Sequence, residues 1–342
     1  MTQFSRRHAL RALSLAPALS FAHPLLAQAQ GMTLKISHQF PGGTLEEGDF
    51  RDRLCRMFAA EVQKRSNGGL KFEIYPGSSL MKTNAQFSAM RKGALDLSLV
   101  PLSYAGGEVP EVNIGLMPGL VPSYETGAAW KNAEVGKELN RLLLDKGIVL
   151  ISWIWQAGGV ASRTRAVVEP DDVKGMKIRG GSREVDLMLK AAGAAVVSLP
   201  SNEIYAAMQT GAMEAALTSS TSLISFRLEE VSKFLTSGRG QSYWYMFEPL
   251  MMSKAVFDRL TKEQQNIIMT VGAELEAFAI KAAKQDDLTV ASVYEKKGAK
   301  VADMNAATVK RWQAIARTTA WKDYADKNEN CAKLLKLAEK LL

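Results

Sequence analysis

AMRKGALDLSLV (residues 89–100) and AMQTGAMEAALT (residues 207–218) are one phrase written twice. Each reads Ala-Met-x-x-Gly-Ala, an apolar residue and an acid, then a run of small and aliphatic residues. The opening suits a helix, the glycine a helix stop that can take positive φ, and the tail a buried strand. A single match of this kind is a common local phrase, but the flanking sequence extends it. The spacing predicts a strand at 34–40, a helix over 48–66, a strand at 72–76, a helix at about 83–92 and a strand at 95–100. It predicts the same order again as strand 176–179, helix 183–192, strand 196–200, helix at about 202–210 and strand 215–218. The second strand of each set closes on a proline, Pro76 and Pro200. The expected fold is two like α/β domains, each with helices on a largely parallel sheet, and a ligand cleft between them.

Downstream, a helix is expected over 221–234 and an aromatic-rich strand, GRGQSYWYMFEPLMMS (238–253), crossing between the domains. Residues 261–297 read as a long helix, with Thr261 and Gln264 in capping-box register and Gly298 as the stop. At about 1.5 Å per residue it is long enough to bridge both domains. A last helical region is expected at 305–341. The first domain is assigned 30–156 plus about 246–280. The second is assigned 157–245 plus about 281–342, with the C-terminal helices packing across both.

Residues 1–29 read as a secretory signal peptide. Arg6, Arg7 and Arg11 make a basic start, 12–22 is a short apolar run, and Ala27-Gln28-Ala29 is an A-x-A cleavage site. The protein is therefore expected in the periplasm. Ala9 stands where the twin-arginine route usually has a large apolar residue, which favours the Sec route. Removing the three arginines lowers the formal charge from +8 to +5. That excess is spread along the chain, which suits anionic small molecules and not nucleic acid. Export and two cysteines, Cys55 and Cys331, lead to the expectation of one disulfide; two buried free thiols is the alternative.

Ligands of open α/β sheets bind beyond the carboxyl ends of the strands. Gln39, Val100, Arg179 and Thr218 fall at or near such ends, and Ser103 follows just behind Val100. In DDVKGMKIRGG (171–181) a short strand ends on Arg179 and breaks at two glycines. Facing a cleft, that arginine would clamp an anion; facing a local Asp or Glu it would be a structural ion pair. Phe40, Trp153, Trp155, Trp244 and Phe247 lie on segments bordering the cleft and suggest an apolar or aromatic ligand body, with core packing as the alternative. The chemistry of catalysis is missing. His38 is the one histidine outside the leader, and there is no G-x-S-x-G elbow, zinc spacing, P-loop or G-x-G-x-x-G. A binding protein without cofactor or metal, acting as a monomer, is expected.

RAVVEPDDVKGMKIRGG (165–181) and GAAVVSLPSNEIYAAMQTGAMEAA (193–216) resemble the DctP-type solute receptors of TRAP transporters. Those receptors carry P-x-D-x-K-G-x-K-x-R, met here by Pro170, Asp172, Lys174, Gly175, Lys177 and Arg179. Their second segment, P-x-x-E-x-Y-x-A-x-Q-x-G-x-x-D, is met by Pro200, Glu203, Tyr205, Ala207, Gln209 and Gly211, with Glu214 replacing the acid. The resemblance implies a periplasmic receptor whose domains close on an organic acid, with Arg179 salt-bridged to its carboxylate. It also implies delivery to TRAP membrane subunits driven by an ion gradient. The further arginine of the sialic-acid branch aligns with Gly159, and that branch's asparagine with Thr218, which argues against sialic acid. Arg163 or Arg165 is the candidate second clamp for a dicarboxylate, although Arg165 fits a structural place. A binding protein of an ABC importer, or the periplasmic sensor of a kinase, would share the two-domain logic.

Overall fold

The computed structural model describes residues 31–342; the expected leader lies outside the described residues. The strands in chain order are β1 (Met32–His38), β2 (Leu70–Tyr75), β3 (Leu97–Leu99), β4 (Ile148–Ser152), β5 (Trp155–Ser162), β6 (Lys177–Arg179), β7 (Ala195–Val196), β8 (Ala215–Ser219), β9 (Phe234–Ser237), β10 (Tyr245–Phe247), β11 (Leu250–Ser253) and β12 (Lys300–Asp303). They form two sheets, β2-β1-β3-β11-β4 and β7-β6-β8-β5-β9-β12, with β10 paired to β5.

The two sheets repeat one plan. In each, three parallel strands, β2-β1-β3 or β7-β6-β8, meet an antiparallel strand, β11 or β5. A further strand, β4 or β9, pairs antiparallel with that one. The repeated phrase occupies equivalent places: the helix Gln86–Arg91 leads into β3 and the helix Ile204–Gln209 into β8. Its glycines, Gly93 and Gly211, have φ of 70° and 78°, a conformation that disfavours any side chain. The chain crosses between the sheets three times, the last time through the helices between β11 and β12. Residues 153–154 link β4 to β5, and Glu248-Pro249 link β10 to β11.

The long bridge is two nearly continuous helices, Lys262–Glu274 and Glu276–Lys296. Thr261 and Gln264 form the expected capping box. The amide of Leu275 still reaches the Val271 carbonyl, and that of Ala279 the Leu275 carbonyl, so the one-residue interruption breaks no bond there. The first helix packs on Phe50–Arg65 and β4, the second on Ser220–Ser225, β5, β9 and β12. The C-terminal helices bond to segments on either side of β4 and β5: Trp312 Nε1 donates to the Val168 carbonyl and Trp321 Nε1 to the Pro118 carbonyl. No helix among the described residues is long and apolar enough to cross a membrane.

Three expectations need correction. The helix expected over 221–234 stops at Ser225. Arg227 turns left-handed at φ 56°, and the chain is redirected into β9. The strand expected at 196–200 pairs only over Ala195–Val196, because the Leu199 carbonyl has left the ladder to accept from Arg179 Nε at 3.1 Å. The disulfide is absent: Cys55 and Cys331 are free and buried. Cys55 lies in the helix Phe50–Arg65, packed on β2 and the bridge. Cys331 lies in Glu329–Ala338, packed on Glu134–Asp145 and Pro110–Leu116. The two helices share none of these neighbours.

Candidate functional site

Arg179 closes β6 with only 2% of its surface exposed. Its guanidinium is tied by Nε to the Leu199 carbonyl at 3.1 Å, by Nη1 to the Leu217 carbonyl at 2.7 Å, and by Nη2 to the Tyr104 hydroxyl at 2.9 Å. A guanidinium has five N–H donors. The three bonds leave one N–H on each terminal nitrogen, a number that matches the two oxygens of one carboxylate. Among the described residues no carboxylate forms an ion pair with Arg179. Asp186 is near enough to feel its charge but makes no ion-pair contact with it, and a ligand carboxylate would supply one.

The glycines behind Arg179 have a physical reason. Gly181 has φ 97°, and a Cβ there would lie 2.7 Å from Arg179 Nη1. Trp244 Nε1 donates to the Gly180 carbonyl at 3.0 Å and pins the turn from below. Ser182 then caps the helix Arg183–Ala191 through the Val185 amide. Asp186, on that helix, reaches back toward Gly180, and one of its oxygens has no partner. Burial lifts its carboxyl to about 6 against the pull of Arg179, the Gly180 amide and Lys190.

A cavity of about 520 Å³ opens beside the clamp's partners, lined from one side by Ser103, Tyr104 and Asn113 and from the other by Gly181, Asp186 and Leu199; Arg179 itself is not part of the lining. That volume suits a small ligand. Of the sequence-predicted residues, Ser103 lines this cavity, and others stand near Arg179 or at the strand ends. Ser103 Oγ donates to the Gly181 carbonyl at 3.4 Å, Thr218 follows the carbonyl that holds Nη1, and Trp244 supports the turn. Val100 is buried just beyond β3. Gln39 is buried beyond β1, and neither amide atom of its side chain has a partner.

Other predicted residues do different work. Phe40 is a shelf for Arg51, whose guanidinium carbon sits 3.6 Å from the ring centroid. Trp155 stacks on Phe247 at 5.1 Å and meets the edge of Trp130 at 5.1 Å; Trp153 packs on Phe247 at 4.7 Å. These rings are core. Gly159 sits between β8 and β9, where a Cβ would overlap the Thr236 carbonyl oxygen, so no larger residue fits. Arg163 lies past the far end of β5, beside Gly211 and Glu214, away from the Arg179 end of the sheet. Arg165 binds the carbonyls of Asp172 and Lys174 at 2.7 and 2.9 Å. Neither is a second clamp.

Two residues escaped the sequence reading. Tyr104 stands on the short turn Leu102–Ala105, where nothing in the sequence marks its side-chain direction. Arg51 is fully buried in the first turn of its helix, bonded to both oxygens of Asp49 at 2.9 and 2.6 Å, to Glu248 at 3.1 Å and to Ser222 Oγ at 3.0 Å. Gln156 also donates to Glu248. Among the described residues no cluster of His, Cys, Asp or Glu could hold a metal ion.

Residues 43–328 match the model of the bacterial extracellular solute-binding proteins, family 7, called DctP. The chain belongs to that family. A solute-binding protein of Albidiferax ferrireducens is 74% identical over 317 residues, 93% of this chain and 94% of that one. The crystal structure of a TRAP periplasmic solute binding protein from Rhodoferax ferrireducens, with bound malonate, shares 74% identity. It superposes with a TM-score of 0.89 over 90% of this chain and 98% of that one. The C4-dicarboxylate-binding periplasmic protein DctP of Rhodobacter capsulatus is 26% identical over 82% of this chain and 83% of its own.

Proposed function

We propose that this protein is the periplasmic receptor of a TRAP transporter, closing on a small, polar organic acid and presenting it to the membrane subunits for ion-gradient-driven uptake. The observation that carries the reading is Arg179: buried, with no carboxylate in ion-pair contact, and with one N–H left over on each terminal nitrogen. The acid's carboxylate takes those donors, and its remainder extends into the adjoining cavity. That cavity's polar lining and the core position of Trp155 and Phe247 favour a compact polar body over an aromatic one. The malonate in the Rhodoferax ferrireducens relative is an acid of this size. The domains are assigned as 31–153 with β11 and the first bridging helix, and 154–248 with β12 and the second. Cleavage after Ala29 would release the receptor into the periplasm. Binding without turnover is the expected activity.

A thermal-shift panel tests this. A ligand at 100 times its Kd stabilises the native state by about 2.7 kcal/mol, so a bound acid gives a clear rise in Tm. Small mono- and dicarboxylates should raise it and their neutral amides should not. Shifts produced by neutral sugars or amides, with none from acids, would sink the reading.

A further inference from the structure

Tyr104 connects the two domains at the clamp. It follows β3 of the first sheet, whereas Arg179 and Ser201 follow strands of the second. Its hydroxyl oxygen accepts from Arg179 Nη2 at 2.9 Å and from the Ser201 amide at 2.9 Å. A phenol offers two acceptor positions and one proton. Both acceptor positions are therefore filled by donors from the opposite domain, and among the described residues nothing accepts the proton. The phenol oxygen touches the nitrogen that carries one of the two leftover guanidinium donors. Its own proton thus lies beside the site where the carboxylate would sit.

One neighbouring contact across the same gap is of ordinary length, Ser182 Oγ donating to the Leu116 carbonyl at 3.0 Å; two others are longer. Ser103 Oγ reaches the Gly181 carbonyl at 3.4 Å, and Thr83 Oγ1 reaches Asn202 Oδ1 at 3.3 Å. Tyr104 makes two cross-domain bonds of ordinary length, and of these contacts it is the one that reaches the clamp nitrogen. A phenylalanine there would leave a buried guanidinium N–H and the Ser201 amide without partners.

Resting on the carboxylate reading of Arg179, we infer that Tyr104 is a further binding residue: a third donor to the ligand carboxylate, and the group that makes capture depend on domain closure. With the domains apart, Arg179 keeps its two carbonyl ties from its own domain but loses Tyr104. Closure returns the hydroxyl, fixes Nη2 and adds the O–H. An acid held by Arg179 alone is thus held less well than one enclosed by both domains.

The test uses Tyr104→Phe, Arg179→Lys, the double variant and Arg179→Ala, each checked for folding by circular dichroism, with malonate as the probe in calorimetry. Tyr104→Phe should weaken malonate binding roughly ten- to hundredfold, the range for a hydrogen bond to a charged group. The double variant should bind little worse than Arg179→Lys, because the hydroxyl acts partly through the guanidinium. In the ligand-free protein, spin labels at Lys92→Cys and Gln209→Cys, in a background with Cys55 and Cys331 replaced by serine, should report a more open distribution when Tyr104 is Phe. Malonate binding by Tyr104→Phe equal to or tighter than wild type, or fully additive losses, overturns the inference. An unchanged label distance overturns it even if malonate does not bind the wild type. Retained binding by Arg179→Ala would instead indict the clamp itself.

Discussion

Replacing Arg51 by leucine should destabilise the fold without touching the ligand clamp. The guanidinium is fully buried, holds both oxygens of Asp49, shares Glu248 with Gln156 and lies on the Phe40 ring. Leucine replaces the stem but leaves two buried carboxyls without their cation. Breaking a buried ion pair from one side costs about 3–5 kcal/mol. At roughly 2–4 °C per kcal/mol for a chain of this class, Tm should fall by about 10 °C. Burial already holds Glu248 at about 7 against the attraction of Arg51. Without Arg51 it escapes the penalty by taking up a proton, which costs about 1.4 kcal/mol less for each pH unit of acidification. Leucine should therefore be better tolerated at pH 5 than at pH 7.5, and Glu248→Gln added to it should recover part of the loss at the higher pH. Urea unfolding followed by far-UV circular dichroism at both pH values measures this. A loss under 1 kcal/mol at pH 7.5, or one equal at both pH values, would refute the argument.

Other outcomes follow from the same buried groups. Glu184 is fully buried, with no hydrogen bond from its carboxyl to another residue and only Arg183 Nη1 near one oxygen at 3.7 Å, and burial raises it to about 7 from the usual 4.5. Its folded value lies above its unfolded one, so its contribution is intact below pH 4.5 and is lost as pH rises toward 7. Glu184→Gln should match wild type near pH 4.5 and exceed it at pH 8 by roughly 1–3 kcal/mol in urea unfolding; equal stability at pH 8 would contradict this. Both thiols are buried, Cys55 pushed well up by burial and Cys331 up to about 11. Neither should react with a thiol reagent at pH 8 until the protein is unfolded, when both should, and intact mass should be unchanged by reductant. Arg179→Ala should fold normally and lose malonate or any other bound acid by a hundredfold or more, since removing one partner of a buried pair costs on the order of 3–5 kcal/mol; binding within a few fold of wild type in calorimetry would contradict it.

The two-domain plan was legible because the phrase at 89–100 and 207–218 is fixed by local physics: a helix, a glycine with positive φ, a buried strand. Thr261, Gln264 and Gly298 marked the bridge for the same reason. The strand end and Gly180-Gly181 are what single out Arg179 in the sequence, and its binding role is the proposal tested above. What the sequence hid depends on contacts between distant residues. The aromatic residues near the crossover fit core and cleft equally well by spacing, and only the ring stacking places Trp155 and Phe247 in the core. Arg163 precedes no helix or glycine break that shows which end of its strand it leaves. Tyr104 owes its role to partners 75 and 97 residues away. The cysteine expectation rested on compartment and count, and packing on different helices defeated it.

A crystal structure of the receptor with an acid from the panel is the most direct measurement of the central claim. The account predicts both oxygens of one carboxylate within about 2.7–2.9 Å of Arg179 Nη1 and Nη2, with Nε still on the Leu199 carbonyl and the Tyr104 hydroxyl in contact with the ligand. A carboxylate seated elsewhere in the cleft, with Arg179 bonded only to the protein, would contradict it.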